Sequence, residues 1–122
     1  MAKFASNDVM DAALAVIATA NRLVVLAGQP SDYAGADAGR LAEAPLGPSD
    51  FLIGDGAAGA RRLTIAPRAG LAALASGMAD HVALLDAIGQ RLVYVTTCPT
   101  QSLAVGTPVQ VDGWHVEIGR PV

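Results

Sequence analysis

The sequence predicts a mainly β protein: an antiparallel β-sandwich or jelly-roll-like barrel with one N-terminal α-helix and a long loop rich in Gly, Ala and Pro. Three observations lead there. Apolar residues recur at helical spacing in one clear segment, near the N-terminus. From Phe51 onward, runs of branched and aromatic residues alternate with Gly-containing turns at a spacing of about eight to twelve residues, as in all-β sandwiches and barrels. Between these two regions, residues 29–50 hold little but small and polar side chains, with Tyr33 and Leu41 as isolated anchors.

The helix is expected over about 7–21. Val9, Met10, Ala13, Leu14 and Ile17 share one face, Ser6 or Asn7 can accept from a free first-turn N–H, and Asp8 and Asp11 suit the positive end of the helix dipole. Those acids read as structural. The run Arg22-Leu23-Val24-Val25-Leu26-Ala27 follows as a buried strand and is stopped by Gly28-Gln29-Pro30. Residues 29–50 read as loop, with one short strand near 40–43; so long a structureless stretch is expected only where it is functional or packs on a neighbour. Further strands are expected at 51–53, 61–66, 71–74, 78–85, 91–98, 107–111 and 114–118. The weakest is 71–74, whose Leu-Ala-Ala-Leu also suits a helix. At 122 residues the chain is read as one domain over 1–122, the sandwich occupying about 22–119.

Charged residues make up 16% of the chain and hydrophobic ones 52%, against about 25% charged in an average soluble domain. Eight basic and eleven acidic side chains are few for the surface of such a protein, so part of that surface is expected to meet other chains. A net charge of −3 provides no basic footprint for nucleic acid. No apolar run approaches the ~20 residues of a membrane-spanning helix, and the N-terminus lacks a signal-peptide pattern. The single cysteine, Cys98, excludes an internal disulfide framework and reads as a small buried hydrophobe.

The segment GDGAAGARR, with Gly54-x-Gly56-x-x-Gly59, imitates a dinucleotide-binding fingerprint. A phosphate loop needs a helix after its last glycine, so that the helix amides hold the pyrophosphate. Here Leu63 and Ile65 alternate with Arg62 and Thr64, and Pro67 would break a helix. The stretch therefore reads as a hairpin whose glycines supply turn conformations. His81 and His115 lie inside strand patterns; Asp80 beside His81 points to the opposite strand face, so no acid–base pair forms there. No catalytic, cofactor or metal site is expected. Arg61, Arg62 and Arg68 collect near one hairpin, either as a solvated edge or as a contact for an acidic neighbour. Trp114 is a core anchor or an interface platform.

Three groups of residues resemble small tailed-phage virion proteins with an N-terminal helix and a β-sandwich body. They are the opening Ser6-Asn7-Asp8-Val9-Met10-Asp11-Ala12-Ala13-Leu14, the strand 22–26 ending in Gln29-Pro30 with Asp50-Phe51-Leu52-Ile53-Gly54-Asp55-Gly56, and the succession 76–86, 92–98 and 103–109. The resemblance implies a capsid decoration or cement protein that binds across major capsid protein subunits and beside copies of itself. It would lie on the outer capsid surface after synthesis in the host cytoplasm, with no small-molecule substrate, nucleic acid or membrane as partner. Candidate interface residues are Tyr33, Leu41, Arg61, Arg62, Arg68 and Trp114, together with the loop 31–49. The alternative is a tail-fibre or receptor-binding module contacting host glycans through Trp114 clustered with Tyr33 or Tyr94.

Overall fold

Ser6 opens the first helix: its Oγ accepts from the Val9 N–H at 3.3 Å, the cap that its short polar side chain favours. The computed structural model describes residues 3–121. Its elements run α1 (Asn7–Ile17), β1 (Arg22–Leu26), α2 (Tyr33–Gly39), β2 (Ala42–Pro45), β3 (Phe51–Asp55), β4 (Arg61–Ile65), β5 (Arg68–Ala72), β6 (Gly77–Asp86), β7 (Arg91–Leu103), β8 (Pro108–Val111) and β9 (Trp114–Ile118). The protein is mainly β, with antiparallel pairing throughout, as the punctuation of the sequence predicts.

Helix α1 ends at Ile17, earlier than the expected 21, because tight bonds from Thr19 and Ala20 back to Val16 and Ile17 turn the chain into the sheet. Its inward face is also narrower than expected. Met10 and Leu14 are buried, whereas Val9 and Ala13 are exposed.

The continuous apolar run of β1 has a direct structural cause. Leu23 and Val25 enter the main core, while Val24 and Leu26 enter a second cluster with Ala36, Ala83 and Leu85. A strand covered on both faces needs no polar alternation. The cover on the second face is α2, and here the expected long loop is corrected: residues 29–50 form α2, then β2, then a 3-10 turn at Pro48–Asp50. Asp32 Oδ1 caps α2 by accepting from the Gly35 N–H at 2.7 Å. The helix has no large apolar stripe because Ala36, fully buried, is its contact with the sheet. Smallness, which reads as loop in a sequence, is here what permits close approach.

Two layers enclose the main core. One is the four-stranded sheet β2-β1-β6-β7. The other is a ribbon in which β4 pairs β9 and β5 pairs β8, with β3 beside β4. Ile65↔Trp114 and Arg68↔Val111 keep one register across Ala66-Pro67 and Asp112-Gly113, so the ribbon is a single long antiparallel pair of chain segments bent at those two dipeptides. Leu63, Ile65, Val109 and Val111 face Leu23, Val25, Val82 and Leu84 across the core. At one side the layers are stitched: β2 packs beside β5, and the Leu74 N–H donates to the Leu41 carbonyl at 2.7 Å. At the other side β7 pairs only with β6, and β8 only with β5. Helix α1 packs against β3, β4, β7 and β9, closing part of that open side.

The bend depends on Gly113. A Cβ there would lie 2.9 Å from the Ile65 carbonyl oxygen and 3.2 Å from Pro67 Cδ, too close for either to remain in place. Gly113→Ala is expected to lower stability in urea unfolding by about 1–3 kcal/mol. Gly47→Ala, at a site with no atom near the added methyl, should leave it unchanged or raise it by up to about 1 kcal/mol.

Candidate functional site

The arginines singled out in the sequence are held by carboxylates of their own chain. Arg61 bonds Asp11 at 2.7 Å and Asp55 at 2.6 Å, Arg62 bonds Glu117 at 2.6 Å, and Arg68 reaches Asp50 at 3.3 Å. An acidic neighbour is therefore not needed to neutralise them, and the hairpin offers little free positive charge. Arg22 behaves likewise, reaching Glu43 at 2.6 Å, Asp37 at 2.9 Å and the Tyr33 hydroxyl at 3.0 Å. Burial opposes its charge, but the hydrogen bonds to Glu43, Asp37 and Tyr33 outweigh burial and hold the guanidinium above its ordinary pKa. Tyr33 thus sits at the start of α2 with its hydroxyl engaged. Leu41 is buried in the main core and is corrected from contact residue to core residue.

The GDGAAGARR stretch is a strand-turn-strand, β3 and β4 joined by a 3-10 turn at Ala57–Gly59. Gly59 takes φ +81°, and Ala58 also lies in the left-handed region at φ 52°. The Gly56 N–H donates to the Ala60 carbonyl at 2.8 Å, and the Ala57 N–H to Glu117 Oε1 at 3.1 Å. A carboxylate already accepts from this loop, and the helix a phosphate loop requires is replaced by β4.

His81 and Asp80 correct another expectation. The ladder between β6 and β7 steps from Ala79↔Gln101 to His81↔Thr97, leaving Cys98, Pro99 and Thr100 opposite Asp80 alone. This bulge breaks the alternation of strand faces and brings the neighbouring side chains together, Nδ1 of His81 donating to Asp80 Oδ1 at 2.7 Å. Asp80 Oδ1 also accepts from the Gly28 N–H at 2.7 Å. The bond from His81, then that from Gly28, holds the Asp80 carboxyl below its ordinary pKa. The pair clasps the end of β1 to β6. His115 is exposed on β9, opposite Thr64.

The same bulge shapes a cleft of about 480 Å³. Its walls are residues 96–101 of β7 and 109–114 of β8, the bend and β9, over a floor of Val25, Ala79 and Val82. Trp114 lies in it, half-buried against the core, and its indole N–H is buried without an acceptor. Leaving such a donor unpaired costs about 1–3 kcal/mol. Cys98 also lines the cleft, where burial, and then the Asp80 charge, push its thiol pKa up; the protonated form is favoured, which is poor for a nucleophile. Tyr33 lies in the other cluster and Tyr94 does not line the cleft, so neither tyrosine joins Trp114. The strand expected to end at Cys98 continues through Pro99 to Leu103. A proline inside an otherwise strand-like run is the one signal for an edge strand or bulge that the sequence contained.

Three carboxyls held below their ordinary pKa contribute to stability against acid. Besides Asp80, Asp86 is lowered first by the Gly89 N–H and also by Arg91, and Glu117 first by Arg62 and then by the Ala57 N–H. Such groups stabilise the fold fully above their unfolded pKa values, about 4, and that contribution is lost as pH falls through the lower folded values. The stability advantage of wild type over Glu117→Gln should be constant above about pH 5 and shrink steadily below pH 4 in urea midpoints; a gap independent of pH would contradict this. No protein-family model, curated protein or solved structure matches the chain.

Proposed function

We propose that this protein acts by binding rather than by catalysis, as a structural component of a phage virion: a decoration or cement protein spanning major capsid protein subunits beside copies of itself. The resemblance in the order of sequence elements supports the phage assignment. The observation that carries a binding role is the outer face of α1. Val9, Ala12, Ala13 and Val16 recur there at i, i+3, i+4 and i+7, all exposed, with Val9 at 63% and Val16 at 50%. Phe4, just before the helix, is 82% exposed. A second apolar stripe on a helix whose first stripe already fills the core contributes nothing to folding and fits burial against another chain.

A cement role follows by mass action. Each copy that binds only the assembled shell stabilises the assembled state, and many weak contacts add up over a lattice. With Arg22, Arg61, Arg62 and Arg68 engaged internally, the contacts this reading relies on are apolar surface and unpaired strand backbone. The glycan-binding alternative gains no support from an aromatic cluster, since neither tyrosine lines the cleft that holds Trp114.

Heads prepared without this protein should bind it when it is added back, giving new density on the shell by cryo-electron microscopy. Val9→Glu with Val16→Glu should weaken that binding on the order of tenfold or more while leaving the circular dichroism spectrum and melting transition unchanged. Density on the tail, or none on the head, would refute the capsid assignment; full binding by the double variant would refute the role of α1.

A further inference from the structure

The two core layers are stitched where β5 meets β2 and unpaired where β7 faces β8, so the strands nearly close into a barrel with one open seam. Helix α1, in contact with both β7 and β9, covers part of that seam, and the cleft is the part it leaves uncovered. The pattern of lining residues shows what kind of surface this is. A pocket on a sheet face is lined by alternate residues, because successive side chains point to opposite sides. Here two unbroken runs, 96–101 and 109–114, line the cleft. The strand edges themselves therefore form its walls, and an edge presents N–H and C=O groups that no neighbouring strand uses.

We propose that this seam binds an extended peptide segment of a partner protein, laid between β7 and β8, with small apolar side chains at alternate positions and no acidic residue. The six residues of the β7 wall, bulged against four of β6, run about 10 Å along the sheet and so take about three or four residues of a guest strand. The apolar positions of the guest meet Cys98, Pro99 and the half-buried Trp114, which line the cleft above valines that are already buried in the core. Its backbone supplies carbonyl acceptors and N–H donors for the unpaired edges of the two walls. Pro99 withholds one N–H from the β7 wall, so Thr97, Thr100 and Gln101 offer side-chain partners beside it. Asp112 is the one carboxylate in the lining, and no Lys or Arg lines the cleft among the described residues, so an acidic segment is repelled and a neutral or basic one accepted. This is recognition by strand addition, in which backbone bonds provide affinity and alternate side-chain pockets provide selectivity.

The inference goes beyond the capsid assignment and is tested on the isolated 122-residue chain, so either can fail alone. Trp114 is the only tryptophan, so intrinsic fluorescence reports on the cleft directly. The probe is a blocked hexapeptide of lysine followed by alternating valine and threonine; the control has glutamate at the valine positions. Saturable change in tryptophan emission with the probe and not the control, with slowed amide exchange in 96–101 and 109–111, is the expected result. Thr100→Arg, at an exposed position on the wall, should weaken the response on the order of tenfold without altering the melting transition. No response to the probe at millimolar concentration, a response without amide protection, or an unaffected Thr100→Arg variant would overturn the proposal. A response to a panel of neutral oligosaccharides in place of the peptide would reassign the cleft to glycans.

Discussion

Strand β1 has no wet face, and most of the architecture follows from that constraint. Five residues, Arg22–Leu26, must be covered above and below and paired on both edges. Pairing comes from β2 and β6. The bent ribbon covers one face across the main core, and α2 covers the other. Arg22, the one polar residue of the strand, is placed at its end, where Tyr33, Asp37 and Glu43 from α2 and β2 converge on its guanidinium. The segment after β1 is therefore bound on both sides of its helix: by Ala36 against the sheet and by the arginine cluster at the rim. A chain region that looks structureless in composition is fixed because the strand before it cannot be left exposed.

The features legible in the sequence were those with a period. The helix near the N-terminus, the buried first strand and the antiparallel hairpins of the C-terminal half announce themselves through apolar spacing and turn residues, and the glycine-rich stretch was correctly read as a turn from the alternation that follows it. The features that were hidden depend on size or on distance along the chain. Helix α2 carries no stripe because its contact residue is an alanine. The partners of Arg61 and Arg62, Asp11 and Glu117, lie 50 and 55 residues away, so a local charge cluster looked free when it was not. The juxtaposition of Asp80 and His81 was missed for a sharper reason: strand alternation places them on opposite faces, and only the bulge, which depends on β7 pairing, cancels the rule.

That internal use of charge changes how the scarcity of charged residues should be understood. A chain with few ionic groups could keep them outward for solubility. Here the arginines are drawn into pairs that tie α1 to β4, β4 to β9 and β1 to α2 and β2. Exposed ion pairs contribute little each, about 0–1 kcal/mol, but they fix orientations. The paired groups remain at the surface, but they are few, and the apolar face of α1 lies on that same sparsely charged surface. Such a molecule gains more from a neighbour than from solvent.

The β6–β7 bulge joins the remaining observations. By placing three residues opposite one, it swings Asp80 to where it can hold both Gly28 and His81, and so anchors the end of β1. The same three residues, Cys98, Pro99 and Thr100, line the cleft, and β7 does not reach across the seam to β8. The clasp at the end of β1 and the cleft thus meet at one irregularity: the three residues that stand opposite Asp80 in the ladder also line the cleft beside Trp114.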